Sequence, residues 1–390
     1  GLKMSRKKIL LVSNAYWPSI GGIENSLRHL SEEAKKNGDY PEIIVSDIGA
    51  LDMPTYEVHQ SVPINRYRMK VSKIPIINFL ISNYKAYRIY RNKFEEDSER
   101  IVIARFHLSA LFAKLAGFKK VIYLVPSVVK FQCEKEMSET STKYIRFRSI
   151  LWIYIHNYLQ KLALNNSDVF VFSETMRQQC SEVVGYELSA KITKPGVDSV
   201  RFKPINDKST SIRSQLLIND EKKIVLFVGR FVKAKCVDYI ITAVSSLDEC
   251  VLLLIGEGQE LESYREKISK LKLQDRVIII PPTRDVEKYY SSADVFVMSS
   301  SYEPLGQTII EALSSGLPVA AFKNSNNVKT ATQELGMDDY ICYAKDFSSQ
   351  ELSIAISTIL SSSYDREKIH RSTVDKFSWS RLYTELVGSD

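Results

Sequence analysis

The chain has 390 residues, of which 44% are hydrophobic and 25% charged, as in a soluble globular protein of two ordinary domains. We expect no signal peptide and no membrane-spanning run of eighteen apolar residues, and the three residues before Met4 are typical of an expression remnant. The five cysteines are odd in number and have no C-x-x-C spacing, which argues against a disulfide framework or a zinc site and favours a reducing cytoplasm.

The net charge of +7 is unevenly distributed along the chain. Residues 1–200 contain 29 Lys and Arg against 20 Asp and Glu, whereas the remaining residues contain 24 against 26. Only the first half therefore has a basic surplus, which predicts an anionic partner for that half. We expect this partner to be an anionic membrane surface and not a nucleic acid.

Strand-like and helix-like segments alternate from the start of the chain. A buried type of strand at Ile9–Ser13 is followed by a loop, by a helix at Asn25–Lys36 that stops at Gly38, and by a strand at Ile43–Ser46. Further strands are predicted at Ile101–Ala104, Val121–Val125 and Val169–Phe172. Strands that alternate with helices indicate a parallel sheet.

A polar segment from Asp198 to Lys223 interrupts the alternation before a second series begins. Its strands are predicted at Ile224–Val228, Val251–Ile255, Val277–Ile280, Val295–Val297 and Val319–Phe322. Two such series predict an α/β protein with two Rossmann-like, doubly wound domains that face a central cleft. We place the first domain at residues 4–197, the second at 198–372, and at 373–390 a closing helix that crosses back to the first domain.

The first strand runs into NAYWPSIGGIENSLRHL, where Gly21 and Gly22 lie between a strand and a helix. The dinucleotide-binding spacing G-x-G-x-x-G is absent, and no acidic residue is conspicuous at the end of the next strand, where Asp47 is nearest. Two interpretations stay open. The glycines form a plain helix-entry turn, or they let the backbone approach a ligand closely where a Cβ would obstruct it.

The second series opens with KIVLFVGRFVKAKCVDYII, in which Gly229 ends a strand. Arg230 and Lys235 lie on either side of the loop before the next helix. Ligands of open α/β sheets bind at the carboxyl ends of parallel strands, which is where both cations are predicted. Lone basic residues in loops are usually solvated, but a pair at this position is a candidate anion site.

Residues 302–318 read YEPLGQTIIEALSSGLP and contain two glutamates, Glu303 and Glu311. Glu303 precedes a proline and is predicted to be extended or in a turn, whereas Glu311 lies inside a helix that stops at Gly316. The N–H groups at such a helix start form an anion site, so we expect Glu303 to face hydroxyl groups and not the anion. The alternative is a capping glutamate plus a solvated one.

Several catalytic motifs are absent from the sequence. It contains no D-x-D, H-E-x-x-H, G-x-x-x-x-G-K-[ST] or G-x-S-x-G. If a diphosphate leaves at this site, then Arg230, Lys235 and helix N-termini must stabilise its charge, and we expect neither a metal nor another cofactor.

Seven stretches in this order resemble glycosyltransferase family 4, the retaining nucleotide-sugar transferases with the GT-B fold. They are LLVSNAYWPSIGGIENSLRHL, SDVFVFSETMRQQ, ITKPGVDSVRFKP, VLFVGRFVKAKCVDYIITAV, LLLIGEGQELESYREK, YYSSADVFVMSSSYEPLGQTIIEALSSGLPVAAF and FSWSRLYTEL. The resemblance covers nearly the whole chain. Its most specific part is the E-x7-E loop together with Gly229-Arg230 and Lys235.

The resemblance implies a role for each matching residue. Glu311 would hold the ribose hydroxyls of a nucleotide, Glu303 would contact the transferred sugar, and Arg230 and Lys235 would bind the diphosphate. The first domain would bind the acceptor, the second the nucleotide sugar, and Trp379 would belong to the closing helix. Further candidate substrate-binding residues are Gly21, Gly22, Arg105, His107, Gly229, Leu305, Gly306, Gln307 and Thr308.

The chain departs from the family pattern at three places. Pro126-Ser127 follows the strand Val121–Val125, where family members usually have a histidine. His107 lies near that position, although packing at a helix start is the favoured interpretation for it. The lysine loop reads AKC where E-K-G is common, and residues 323–325 (KNS) replace a glycine pair after Phe322.

The resemblance therefore implies a retaining, metal-independent hexosyltransferase that uses a UDP- or GDP-sugar as donor. Its acceptor would be lipid-linked or a glycan in surface polysaccharide biosynthesis, such as that of lipopolysaccharide, O-antigen or capsule. Two alternatives stay open: a hydrolase or epimerase of nucleotide sugars with the same fold, and a catalytically silent module that binds sugar nucleotides. We expect a cytoplasmic protein that is peripheral on the inner face of the cytoplasmic membrane.

Two segments combine the basic surplus with aromatic residues. The first contains Arg66, Arg68, Lys70, Lys73, Lys85, Arg88, Arg91 and Lys93 beside Phe79, Tyr84, Tyr87 and Tyr90. The second contains Lys143, Arg146 and Arg148 beside Phe147 and Trp152. Each is either a helix that packs its apolar side on the core and solvates its charges, or a surface that lies on an anionic leaflet with its aromatic rings among the headgroups.

Overall fold

A computed structural model of the chain describes residues 6–16, 21–131, 143–206 and 211–388, and for residues 143–148 it describes the backbone alone. The chain divides into two compact units. The first consists of the residues up to Gly196 together with those from Trp379 onward, and the second is Val197–Ser378. The sequence places the start of the closing segment at residue 373, inside the helix Arg366–Lys376, whereas the two compact units divide between Ser378 and Trp379.

The described residues form strands and helices in an almost regular alternation. The strands are β1 (Lys8–Val12), β2 (Tyr40–Ser46), β3 (Tyr56–His59), β4 (Val62–Tyr67), β5 (Ile101–Ala104), β6 (Val121–Leu124), β7 (Asp168–Val171), β8 (Lys191–Ile192), β9 (Lys223–Val228), β10 (Cys250–Ile255), β11 (Val277–Ile280), β12 (Val295–Met298), β13 (Tyr302–Glu303), β14 (Val319–Phe322), β15 (Lys329–Thr330) and β16 (Ile341–Ala344). The helices are α1 (Gly22–Lys36), α2 (Pro75–Glu96), α3 (His107–Ala116), α4 (Lys143–Asn166), α5 (Glu174–Val184), α6 (Ile212–Gln215), α7 (Val237–Ser245), α8 (Leu261–Lys270), α9 (Val286–Ser292), α10 (Gln307–Ser314), α11 (Ser349–Leu360), α12 (Arg366–Lys376) and α13 (Trp379–Val387). Short 3-10 helices lie at Lys233–Lys235, Thr332–Leu335 and Asp338–Tyr340.

Each unit is built on a parallel sheet, which confirms the predicted α/β class with two doubly wound domains. Among the described residues the first unit has an eight-stranded sheet of order β3-β4-β2-β1-β5-β6-β7-β8, in which only β3 and β4 pair antiparallel. The sheet of the second unit has the order β11-β10-β9-β12-β14-β16, and β13 pairs separately with β15. β3 and β4 were not predicted, because this edge hairpin alternates between exposed and buried residues and has no continuous apolar run.

Both sheets are buried on their two faces, which explains the apolar runs in the sequence. In β9, for example, Val225 and Phe227 contribute to the core on one face, while Ile224 and Leu226 contribute to the core on the other. Successive side chains of a strand point to opposite faces, so a strand covered on both sides must be apolar at every position. In the strand order of this sheet β9 is a central strand, so its carboxyl end lies in the middle of the sheet next to β12.

The closing helix α13 packs within the first unit. The Trp379 ring stacks on His29, with ring centroids 4.8 Å apart, and it lies so close to Gly196 that a Cβ there would collide with it. Lys120 Nζ donates to the Val387 carbonyl over 2.9 Å. These contacts fix the last helix beside α1 and β6.

Candidate functional site

The start of α10 carries the first of the two predicted carboxylates. Glu303 ends the short strand β13, and Gly306, with φ of 75°, is the left-handed residue from which the helix begins. The Gly306 N–H donates to Glu303 Oε1 over 3.2 Å, and Lys235 Nζ donates to Glu303 Oε2 over 2.7 Å. The Glu303 carboxylate therefore caps the N-terminus of α10, which is the capping interpretation stated above, and its contact with sugar hydroxyls stays a prediction.

The environment of Glu303 stabilises its ionised form. Burial by itself would raise the pKa of this carboxyl group. The charge and hydrogen bond of Lys235 and the N–H groups of Gly306 and Leu305 outweigh burial, and the pKa lies below its ordinary value. Glu303 is thus a carboxylate at neutral pH, and Lys235 is its counter-ion.

The loop that carries Lys235 is attached to the end of β12. Ser299 Oγ donates to the Lys235 carbonyl over 2.6 Å, and the Ser301 N–H donates to the Ala234 carbonyl over 2.9 Å. Cys236 then adopts φ of 51° and ψ of 40°, which is left-handed backbone that glycine adopts without strain. This conformation gives a physical reason why glycine is common at this place in the family that the chain resembles.

Arg230 lies at the carboxyl end of β9 and is exposed. Among the described residues its guanidinium has no hydrogen-bond or ion-pair partner, unlike Lys235. The preceding Gly229 N–H donates to the Ile255 carbonyl over 3.0 Å, and a Cβ on Gly256 would collide with the Gly229 carbonyl. The loops after β9 and β10 therefore approach closely only because residue 256 is glycine.

Glu311 lies one turn inside α10 and is partly exposed. Tyr290 Oη donates to Glu311 Oε2 over 3.3 Å. Burial raises the pKa of Glu311 to about 7, against the opposing effects of Arg201 and of the hydrogen bond from Tyr290. The group is therefore poised between its neutral and ionised forms near physiological pH, in contrast to Glu303.

Leu305, Gln307 and Thr308, the other predicted residues of this loop, are all partly exposed around the first turn of α10. The structure thus brings together Lys235, Glu303 and the α10 N-terminus. Their roles in substrate binding stay predictions.

Sequence reasoning missed four residues at this site, two that act on Glu311 and two glycines that shape the neighbouring loops. Tyr290 and Arg201 act on Glu311 from α9 and from the segment after β8, and no local pattern marks either of them. Gly256 and Gly258 have φ of 156° and 152°, and each keeps its loop in contact with the loop after β9. The GEG sequence directly after a buried strand is the signal that could have identified the two glycines.

Gly21 and Gly22, the candidates at the start of α1, have open surroundings within the first unit. Gly21 has extended backbone with φ of −179°, and a Cβ there would meet only the mobile end of the Glu24 side chain. A Cβ on Gly22 would have no atom of another described residue within 4 Å. Packing within the described part of the chain therefore requires neither glycine, and the ligand-approach interpretation stays a prediction.

Arg105 and His107 follow β5 and are both buried, at 3% and 5% exposure. Arg105 donates one hydrogen bond to the Leu124 carbonyl over 3.1 Å, and burial lowers its pKa to about 10. His107 Nε2 and His156 Nδ1 share a hydrogen bond of 2.9 Å, and burial lowers the pKa of His107 to about 3. The structure thus gives His107 a packing role at a helix start, and a role in substrate binding stays a prediction for both residues.

Residues 208–374 match the family model described as "Glycosyl transferases group 1". Over 330 residues the chain is 25% identical to the Alpha-monoglucosyldiacylglycerol synthase of Streptococcus pneumoniae, a match that covers 81% of this chain and 71% of that protein. Over 112 residues it is 34% identical to the lipopolysaccharide core biosynthesis glycosyltransferase LpsE of Rhizobium meliloti, covering 29% of this chain and 33% of that protein.

Solved structures share the fold over nearly their full length. Sucrose-phosphate synthase from Thermosynechococcus elongatus superposes with a TM-score of 0.78 at 21% identity, and Anabaena HepE in complex with UDP and glucose with a TM-score of 0.73 at 15% identity. Each match covers 98% of both chains.

The fold and the matched domain define a glycosyltransferase of the GT-B type. The segment at residues 208–374 matches the glycosyl transferases group 1 model, which supports the expected class of enzyme. The narrower assignment to family 4 stays a prediction.

Proposed function

We propose that this glycosyltransferase transfers a hexose, with retention of configuration, from a UDP- or GDP-sugar to a lipid-linked or glycan acceptor of surface polysaccharide biosynthesis. The arrangement around the α10 N-terminus supports this most. Glu303 and Lys235 lie at the helix start, and Glu311 lies one turn inside it. Two carboxylates accept hydrogen bonds from the hydroxyls of two different sugars, and the helix N-terminus and cations attract the diphosphate between them.

The proposed reaction exchanges one bond at the anomeric carbon. The bond from this carbon to the diphosphate oxygen breaks, and a bond to the acceptor hydroxyl oxygen forms on the same face of the sugar. The hydroxyl proton passes to an oxygen of the departing diphosphate. Arg230 and Lys235 stabilise the negative charge of the leaving group, each by about 3 kcal/mol if it matches other preorganised donors, without a metal.

The relatives support the choice of substrates. The structure of Anabaena HepE contains UDP and glucose, which favours a uridine nucleotide sugar as the donor. The names of the two relatives favour a lipid acceptor in one case and lipopolysaccharide core synthesis in the other. The acceptor and the linkage are therefore best sought among membrane-associated glycans.

A basic segment that runs from β4 through α2 supports a location at an anionic membrane. Residues 58–94 contain eight Lys and Arg and no Asp or Glu. Four of these cations are exposed and have no ion pair among the described residues, namely Lys70, Lys73, Lys85 and Arg88. Each cation near an anionic leaflet contributes about 1 kcal/mol to binding. No described helix is both long and apolar enough to cross a bilayer.

The other cations of this segment are held by the protein. Arg66 pairs with Glu57, Arg91 with Glu95, and Lys93 with Glu42 over 2.7 Å. Arg68 approaches Asp47 at 3.6 Å. Charge reversal at Arg91 or Lys93 would therefore disturb the fold as well as the surface. In the second basic segment, the side chains of Lys143, Arg146, Phe147 and Arg148 lie outside the described residues.

The substrates can be tested with a panel of sugar nucleotides. Thermal stabilisation identifies the nucleotide that binds, and release of that nucleotide is then measured with and without acceptor in the presence of EDTA. A transferase releases nucleotide only when acceptor is added. Nucleotide release without acceptor would favour a hydrolase. Thermal stabilisation by a sugar nucleotide without any nucleotide release would favour a binding module. Activity that is lost in EDTA and restored by a divalent metal would contradict the metal-free chemistry.

Membrane binding can be tested by co-sedimentation with liposomes. Binding should require anionic lipid and weaken as salt is raised. It should be lost on reversal to Glu of Lys70, Lys73, Lys85 and Arg88. A matched variant reverses four exposed cations of the second unit and should bind normally: Lys270, Lys345, Lys368 and Arg371. Binding that is absent or indifferent to lipid charge would favour a soluble acceptor.

A further inference from the structure

An apolar groove runs along the side of α2 where this helix packs against α3. Its volume is about 480 Å³. Phe79, Leu80, Tyr84 and Tyr87 line it from α2, and Phe112 and Leu115 line it from α3. The polar groups of the lining side chains are the amide of Asn83 and the hydroxyls of Tyr84 and Tyr87, so most of the lining is aliphatic and aromatic carbon.

The rims of the groove expose large apolar side chains to water. Leu80 is 61% exposed, Tyr84 62% and Leu115 60%, whereas Tyr87 and Phe112 pack against the buried core below. Single exposed leucines are common on protein surfaces, but a concave site lined almost wholly by apolar side chains is typical of a ligand site.

The charges beside the groove indicate what kind of ligand fits. Arg88 lies one helical turn after Tyr84 of the groove lining, and Lys85 lies one turn before Arg88; both cations are exposed. They have no ion pair among the described residues, and residues 58–94 contain no carboxylate that would repel an anion. A molecule with a hydrocarbon chain and an anionic headgroup complements both features.

We propose that the groove binds one hydrocarbon chain of the lipid acceptor, with its phosphate headgroup beside Lys85 and Arg88. This assignment rests on the proposed transferase function and narrows the acceptor to an anionic lipid with a long chain. It also differs from adsorption to a membrane surface, because a bounded groove takes up one chain and is filled at a definite chain length.

Alkyl phosphates of 8 to 16 carbons, used below their critical micelle concentrations, test the groove directly by titration calorimetry. The full-length protein should bind one molecule per chain. Affinity should rise about tenfold for every two added methylenes, since each buried methylene adds a nearly constant increment, and should stop rising once the groove is filled. Binding that is absent, that exceeds one molecule per chain, or that never reaches a plateau overturns the proposal.

Two variants and a control locate the site. Leu80→Gln and Leu115→Gln should each weaken binding of the longest alkyl phosphate about tenfold and leave nucleotide binding unchanged. Leu51→Gln changes a leucine of the same unit with 63% exposure and should have no effect. If all three variants bind the longest alkyl phosphate with equal affinity, the groove assignment is overturned.

Two further readouts separate the groove from its alternatives. Calorimetry measures binding and does not depend on turnover. If the protein binds alkyl phosphates but glycosylates only soluble glycans, the lipid acceptor is disproved and the groove as a lipid-binding site is not. Sedimentation shows whether a second copy covers this face. A dimer that Leu80→Gln converts to a monomer would overturn the lipid assignment.

Discussion

Glu311→Gln should stabilise the protein in the absence of nucleotide although it impairs binding. Burial moves the pKa of Glu311 from its ordinary value of 4.5 to about 7, which corresponds to at most about 3 kcal/mol against the ionised form in the folded chain. Below pH 4.5 the group is neutral in both states and costs nothing. Its cost grows as the pH rises, from less than about 1 kcal/mol at pH 5 to its full value above pH 7.

The glutamine keeps the hydrogen bond from Tyr290 and removes this pH-dependent cost. The variant should therefore gain up to about 3 kcal/mol in free energy of unfolding at pH 8, and much less at pH 5. Urea titrations followed by circular dichroism measure this difference. Tryptophan fluorescence serves as an internal reference, because all three tryptophans lie outside residues 197–378.

Glu266→Gln is the matched control, since Glu266 is exposed on α8. It should leave the free energy of unfolding unchanged at both pH values. A Glu311→Gln variant that is less stable than the wild type at pH 8, or whose effect is the same at pH 5 and pH 8, would refute the reasoning.

Three further predictions concern single residues. Arg230→Ala and Lys235→Ala should each lower kcat about a hundredfold. Only Lys235→Ala should shift the pH–rate profile, because it removes the charge that lowers the pKa of Glu303. Identical pH–rate profiles for the two variants would contradict the ion pair. Cys236→Gly should keep kcat. Cys236→Val should lose about 1–3 kcal/mol in free energy of unfolding, measured by urea titration, because a β-branched side chain does not tolerate φ of 51°. A valine variant as stable as the wild type would disprove the left-handed backbone. Because burial lowers the pKa of His107 to about 3, the free energy of unfolding should fall as the pH drops below 6.5, by about 2 kcal/mol at pH 5. His107→Gln should reduce this loss. Urea titrations followed by tryptophan fluorescence at pH 5 and 7.5 measure the difference.

Local sequence rules predicted the backbone of the site well. The proline after Glu303 and the glycine at 316 predicted a loop and a helix between the strands Val295–Val297 and Val319–Phe322, and the structure confirms that order. These rules work because each concerns residues within one or two turns of the chain, where backbone preferences dominate.

The same rules could not predict the partners of the carboxylates. Lys235 and Glu303 are 68 residues apart in sequence, and they meet because β9 and β12 are neighbours in the sheet. Tyr290 reaches Glu311 from the preceding helix α9. Which strands are neighbours depends on the packing of the whole unit, and the pKa of a buried carboxyl depends on those neighbours more than on its own sequence context.

The two carboxylates should therefore respond differently to pH when the nucleotide binds. Glu303 stays ionised at neutral pH because Lys235 and the α10 N-terminus lower its pKa, so its capacity to accept a sugar hydroxyl is constant. Glu311, with a pKa of about 7, loses its charge as the medium becomes mildly acidic. If Glu311 holds the ribose through its ionised form, nucleotide affinity should fall below pH 7, approaching about tenfold per pH unit. Titration calorimetry with UDP and GDP between pH 5.5 and 8.5 measures this slope. Glu311→Gln should bind weakly at every pH with no such slope, and a wild-type affinity that stays constant across this range would show that Glu311 does not act as a charged acceptor.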